Sequence, residues 1–315
     1  MSALREQAVV TRGLARSFHG RPAVRDLTLQ VERGELFGLV GPDGAGKSTA
    51  IRMLCGLLRP SAGEGIVLGY DLLTQTEAIK RRIGYLSQQF TLYGDLTVDE
   101  NIAFFAELHE VAGFESKRDD LLRFMGLIRF RSRLAAALSG GMKKKLALAC
   151  TLIHTPDLVI LDEPSTGVDP VSRGEFWTIL SSVLAQGVTI VMTTPYLDEA
   201  ERCHRVGLMH GGALIRTGSP ADIKASLPGT AFDVSCADLG GVYALVRGRW
   251  PGAGLVRYGD RVHMHLTDGE AAMSEVARAL EDAGLGPVEV HRAGTSLDDV
   301  FVSLLGANTQ TGGQT

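Results

Sequence analysis

The sequence is poor in cysteine, and its four cysteines (Cys55, Cys150, Cys203 and Cys236) stand far apart. No two have the short spacing of a disulfide framework or a zinc site, so a reduced, cytosolic protein is the expectation. An excess of positive charge is missing too. The 315 residues carry a formal net charge of −4, with a sequence pI of about 6.1. No global positive field argues for nucleic acid as a partner. Long apolar runs are absent. Residues 146–153 come nearest, and His154 ends that run far short of a bilayer span. Residues 1–6 lack the apolar core of a signal peptide. Work at a membrane would need another chain to do the crossing. What is present is 45% hydrophobic and 22% charged, the composition of a soluble protein with a core, at a length that suits two domains.

The stretch that organises the rest is Gly41-Pro42-Asp43-Gly44-Ala45-Gly46-Lys47-Ser48-Thr49. Two glycines separated by four residues and followed by Lys and Ser form the phosphate-binding loop pattern. Residues 36–40 ahead of it read as a short buried strand, and residues 50–58 behind it as a helix. Such a turn points successive backbone N–H groups inward, and the helix N-terminus adds its positive dipole end. Lys47 would reach the β- and γ-phosphates of a nucleoside triphosphate, and the Ser48 hydroxyl would sit on Mg²⁺.

In chain order, residues 8–18 and 23–31 alternate as antiparallel edge strands, turned at residues 19–22. Phe18 either stacks on an adenine ring or belongs to the core. Strands follow at 65–68 and 82–86, then the amide-rich loop 88–93. Residues 97–151 turn helical, with Val98, Ile102, Phe105 and Leu108 at helix spacing and a Thr97/Glu100 capping box at the start. Within this block, Ser139-Gly140-Gly141 opens a helix and forms a second anion site. The lysines 143–145 read as a solvated helix face. Residues 158–161 are an apolar, parallel-type strand ending in Asp162-Glu163, where an open α/β sheet places its ligands. One acid would hold Mg²⁺ through water, and the next would orient or deprotonate an attacking water. A helix to residue 184, a strand at 188–192 and a hairpin at 205–216 complete this part.

These motifs resemble the nucleotide-binding domain of ABC transporters over about the first two-thirds of the chain. They comprise the phosphate loop 41–49, the glutamine loop at Gln88, the signature Leu138-Ser139-Gly140-Gly141, Asp162-Glu163 and the Asp169 loop. The resemblance implies an ATPase that uses ATP and Mg²⁺. Ser48 and Gln88 would ligate the metal, Asp162 would support it, and Glu163 would polarise the lytic water. Phe18 stands at the adenine-stacking position. Ser139, Gly140 and Gly141 would close on the nucleotide of a second copy in a head-to-tail homodimer or heterodimer. Two positions depart from the pattern: Met142 stands where many relatives have Gln, and Pro195 replaces the usual γ-phosphate histidine, which implies slow hydrolysis.

The fold class expected is α/β. A P-loop NTPase (ABC ATPase) domain at 1–222, with an antiparallel edge sheet and a helical subdomain near 95–150, precedes a linker at 223–230. A small α+β domain at 231–306, of ferredoxin-like βαββαβ order, and a polar tail at 307–315 follow. In that small domain His263 and His265 alternate with Val262, Met264 and Leu266, as exposed strand positions or as a metal pair. Residues 195–201 and 296–301 resemble ATPases of the drug- and antibiotic-export branch. That resemblance implies a separate transmembrane permease, contacted through the loop 88–93, and a location on the inner face of the cell membrane. The other reading, a soluble ABC ATPase acting on ribosomes or DNA, has less in its favour. The chain has one motif set, no room for a long coiled coil, and an acidic net charge. A small-ligand sensor at 231–306 has no residue that singles out a ligand.

Overall fold

A computed structural model describes residues 6–89, 92–250, 252–266 and 270–311, with the backbone alone described at 270–272 and 306–311. The chain divides into two units, Met1–Thr217 and Gly218–Thr315.

The first unit runs β1 (Gln7–Phe18), β2 (Arg21–Glu32), β3 (Leu36–Val40), α1 (Lys47–Leu54), β4 (Ala62–Val67), β5 (Tyr70–Asp71), α2 (Thr76–Arg82) and β6 (Ile83–Leu86). It continues through α3 (Val98–Leu108), α4 (Glu115–Phe124), two short 3-10 turns, α5 (Gly140–Leu152), β7 (Leu158–Asp162), α6 (Pro170–Ala185), β8 (Thr189–Thr194), α7 (Leu197–Ala200), β9 (Arg205–His210) and β10 (Ala213–Gly218). Among the described residues these strands form one sheet in the order β5-β4-β1-β2-β10-β9-β3-β8-β7-β6. Its β1/β2/β4 end is antiparallel, and β9-β3-β8-β7-β6 pair in parallel. The parallel strands β3, β7 and β8 are buried along their whole length, as expected for strands covered on both faces. Apolar residues of β1, β2, β3 and β7 pack with Ile51, Met53 and Leu54 of α1, so the core lies directly beneath the phosphate loop.

Several local expectations need correction. Helix α1 starts at Lys47, inside the loop, because Gly46 caps it in a left-handed conformation (φ 99°) and no side chain takes part. Helix α2 and the short strand β5 were not foreseen. In α3 the capping box is formed as expected, with Glu100 N to Thr97 Oγ1 at 3.2 Å and Thr97 N to Glu100 Oε2 at 2.7 Å. Its buried face is Val98, Asn101, Ile102 and Ala106, whereas Leu108 is 63% exposed. The Asn101 amide donates to the carbonyls of Tyr93, Leu96 and Thr97, which satisfy it in its buried position.

The second unit runs α8 (Pro220–Ala225), β11 (Thr230–Ser235), α9 (Leu239–Arg249), β12 (Gly254–Tyr258), β13 (Arg261–Leu266), α10 (Glu270–Asp282), β14 (Glu289–Ala293) and α11 (Leu297–Thr311). Its sheet is antiparallel, ordered β12-β13-β11-β14, the arrangement a βαββαβ split unit produces. Part of the expected linker is helical, since α8 is capped by the Ser219 hydroxyl with Pro220 at its first position. Helix α11 extends to Thr311, into the expected tail, and residues 312–315 lie outside the described residues. The two strand histidines are not exposed. Val262, Met264 and Leu266 join a core with Val242, Val246, Val276 and Leu280, while His263 and His265 on the opposite face are each 6% exposed. His263 Nδ1 lies 2.6 Å from Asp233 Oδ1, and its Nε2 lies 3.0 Å from Asp299 Oδ2 on α11. Hydrogen bonding to Asp299 and Asp233 outweighs burial and raises the His263 pKa to about 9. The imidazole is therefore a buried cation clamped between two carboxylates. Among the described residues no group of three or more metal-ligating side chains forms.

Candidate functional site

Parallel pairing brings three strand ends together. The register sets Val40 opposite Thr194 and Asp162 opposite Thr193, so the phosphate loop, Asp162-Glu163 and the β8 end share one edge. Here the chain makes close turns. Gly44 and Gly46 have φ of 78° and 99°, and a Cβ on Gly46 would stand 2.3 Å from the Ala23 carbonyl oxygen. At Gly41 a Cβ would meet the Met209 carbonyl oxygen at 2.0 Å, so only glycine lets the loop leave β3 against β9. Glu163 itself has φ 46°, an unusual conformation for a residue with a side chain. Its N–H donates to the Thr193 hydroxyl at 3.0 Å, which holds it there.

Around this edge the side chains form one connected set. Lys47, 3% exposed, donates to the carbonyl oxygens of Gly41 (2.8 Å) and Pro42 (3.1 Å) and lies 3.3 Å from Glu163 Oε1. The Gln88 amide donates to Glu163 Oε2 at 2.9 Å. Ser48 Oγ and Thr193 Oγ1 both donate to Asp162 Oδ1, at 2.9 and 2.7 Å. Asp162 is fully buried, and among the described residues its Oδ2 has no hydrogen-bond partner. A buried carboxylate oxygen left bare is costly, and it marks a place for a cation or a donor.

Over this set opens a cavity of about 440 Å³ lined by Asp43, Gly44, Ala45, Gly46, Lys47, Ser48, Thr49, Gln88 and Glu163, with Ala23, Thr166, Pro195 and Tyr196. Gly41 and Pro42 are not among the lining residues; they turn their carbonyls to Lys47. Neither is Phe18, which is 41% exposed with the Arg16 guanidinium 4.8 Å above its ring. Ser139, Gly140 and Gly141 lie elsewhere too. Ser139 caps α5 through Met142 N, and Gly140 lines a second cavity with Gln88, Gln89, Leu92, Lys143 and Lys144. The three lysines are not simply a solvated face. Lys144 is half-buried and donates to the Gln88 carbonyl at 3.3 Å, and Lys145 pairs with Glu175. Burial lowers the Lys144 pKa, while the charges of Asp162 and Glu163 pull it the other way.

Sequence reasoning missed Ala23, Thr166 and Tyr196 as cavity residues. Thr166 follows Glu163 by three residues, and its hydroxyl is 3.4 Å from Glu163 Oε2, a spacing that could have been read. Tyr196 follows Pro195. Helix α7 begins at Leu197, two residues after Pro195, and the Thr194 hydroxyl accepts from Tyr196 N at 3.0 Å.

A lysine, a glycine-rich loop and Glu163 line one cavity above the buried Asp162, and the comparisons agree with that geometry. The ABC transporter family model matches residues 24–166. The daunorubicin resistance ATP-binding protein DrrA3 of Streptomyces coeruleorubidus is 35% identical over 96% of this chain and 96% of its own. The chain belongs to the ATP-binding proteins of ABC transporters. It is an ABC ATPase. A second relative, "Probable multidrug ABC transporter ATP-binding protein YbhF" of Escherichia coli (strain K12), is 43% identical over 70% of this chain, which spans only 38% of that protein's length. A solved ATP-binding subunit of an ABC transporter superposes with a TM-score of 0.64 at 31% identity, covering 69% of this chain and 92% of the other. Among the described residues no helix is long and apolar enough to cross a membrane.

Proposed function

We propose that this ABC ATPase powers a separate membrane permease that exports drugs, antibiotics or other hydrophobic compounds. The observation that carries the reading is the contact set Lys47–Glu163–Gln88 beside Ser48–Asp162 beneath one cavity. The end-to-end similarity to a protein named for daunorubicin resistance supports the export branch.

The backbone N–H groups of residues 43–49 and the positive end of α1 would receive the ATP phosphates. Lys47, already desolvated, would exchange its Glu163 contact for the γ-phosphate. That exchange releases Glu163 to orient and deprotonate water. The donor set also fits Mg²⁺: Ser48 Oγ, the unpartnered Asp162 Oδ2 and the Gln88 amide supply hard oxygen ligands. When bound, the ion would neutralise charge on the phosphates. Pro195 lines the cavity without an N–H to offer, so transition-state stabilisation at the γ-phosphate is reduced and turnover is slow.

Because Ser139, Gly140 and Gly141 do not line the phosphate-loop cavity of their own chain, they would complete the site of a second ATPase subunit in a head-to-tail homodimer or heterodimer. Phe18 would still meet the adenine from the cavity's outer side. The permease would seat beside the Gln88 loop, of which Phe90 and Thr91 lie outside the described residues. A separate cleft of about 370 Å³, lined by Leu57, Tyr85, Phe105 and Leu108 with stacked His109 and His154 rings (3.9 Å) in its wall, would take a permease segment. Burial holds His154 down to about 4, so its ring is neutral and suits an apolar helix. The protein then works at the inner face of the membrane without entering it.

Inverted vesicles from cells co-expressing the chain and its permease test this reading. ATP-dependent uptake of an anthracycline is expected, and Glu163→Gln should abolish it. Equal uptake by wild-type and Glu163→Gln vesicles would refute the coupling.

A further inference from the structure

Helix α5 does more than present Ser139 and the glycines at its start. Lys144 lies one turn past Gly140, on the same helix face. Among the described residues it has no carboxylate at ion-pair distance, although its neighbour Lys145 pairs with Glu175. A half-buried ammonium with no ion-pair contact, drawn only at longer range by the Asp162 and Glu163 charges, loses hydration for little return unless its remaining contact matters. That contact is the main-chain carbonyl of Gln88 at 3.3 Å. From the other end of the same residue, the Gln88 side-chain amide holds Glu163 Oε2 at 2.9 Å. Gln88 is thus gripped twice, by α5 through its backbone and by the glutamate through its side chain.

We propose that Lys144 is a positioning residue for hydrolysis. By fixing the Gln88 backbone it sets where the Gln88 amide holds Glu163, so the orientation of the glutamate follows the position of α5. The inference rests on the ATPase reading above. It adds a mechanical link in that reading: the helix that would meet the partner's nucleotide also steers the glutamate of its own chain. A second copy docking at Ser139 would then alter hydrolysis in both sites through one lysine. The hydrogen bond to the Gln88 carbonyl is the contact through which Lys144 would act.

The test is steady-state ATPase kinetics on the full chain carrying Lys144→Met, Lys144→Arg or Glu163→Gln. For Lys144→Met, kcat should fall about tenfold, the scale of one lost charge-assisted hydrogen bond. KM for ATP should stay within about twofold, because the phosphate loop is untouched. Lys144→Arg should restore most of the turnover by reaching the same carbonyl. If Lys144→Met does not fold, Lys144→Gln is measured against the same criteria. Turnover by the neutral variant equal to wild type overturns the proposal. So does a loss in which kcat and affinity fall together and Arg gives no rescue, since that pattern reports a purely structural residue. Glu163→Gln separates the two levels. If it hydrolyses ATP normally, the parent reading fails; if it is inactive while Lys144→Met is normal, only the Lys144 inference fails.

Discussion

The clamp at His263 makes the second unit sensitive to alkali. The imidazole sits between Asp233 Oδ1 and Asp299 Oδ2, with its side chain 8% exposed. Its pKa is raised from 6.5 to about 9. A group whose folded pKa is raised stabilises fully below its unfolded value, and that stabilisation disappears as pH climbs through the folded one. The interval from 6.5 to about 9 is worth about 3 kcal/mol, lost between those two pH values. On the acid side, burial pushes Asp299 up, but hydrogen bonds from His263 and Ser296 outweigh it and hold the carboxyl low. The clamp therefore also weakens as pH falls through the carboxylate range. Trp250, packed against the core of this unit, is a natural reporter once Trp177, the other tryptophan, is changed to Phe. Urea unfolding followed by Trp250 fluorescence should give a midpoint that drops steadily from about pH 6.5 to about pH 9. In His263→Asn the protein should be less stable at neutral pH, and its midpoint should hardly change over that range. A flat wild-type profile, or the same slope in His263→Asn, would refute the reasoning.

Other expectations are as direct. Gly46→Ala should weaken ATP binding at least tenfold. A left-handed residue with a Cβ costs about 1–2 kcal/mol, and the new methyl would meet the Ala23 carbonyl; calorimetric titration with ATP is the check. Lys47→Ala should abolish hydrolysis and, by leaving the buried Glu163 without its cation, lower the melting temperature; normal turnover would contradict its assignment. Pro195→His should raise turnover, since a hydrogen bond to a charged group contributes about 1.5–3 kcal/mol, or roughly 10- to 100-fold if it acts fully in the transition state. An unchanged rate would mean that Tyr196 or another neighbour has rebuilt the site around proline.

Much of the arrangement was legible because its signals are local. Residues 41–49, the apolar strand ahead of Asp162-Glu163 and the Thr97/Glu100 box each carry their structural reason within a few residues. The βαββαβ order was readable from alternation and turns alone. What escaped depended on distant partners or on weak signals. Helix α2 has no side-chain cap and one buried residue, Ile79, so its periodicity is slight. Helix α1 begins at Lys47 because a left-handed glycine caps it, and Gly46 leaves no capping side chain to read. His263 and His265 looked like a solvent face because nothing in β13 announces that α11 brings Asp299 against it. The inward turn of the Gly41 and Pro42 carbonyls likewise depends on Lys47 folding back, which spacing does not reveal.

The central claim is a nucleotide site completed by a second copy, and its most direct test is assembly. Glu163→Gln keeps the shape of the side chain and removes the proposed base, so ATP should bind and persist. Size-exclusion chromatography with light-scattering detection should show a 33.7 kDa monomer without ATP and twice that mass with it. Adding Ser139→Arg, which places bulk where the partner's phosphates would approach, should return the ATP-bound sample to monomer. A Glu163→Gln protein that stays monomeric with saturating ATP and Mg²⁺, or a Ser139→Arg double variant that dimerises as readily, would contradict the account.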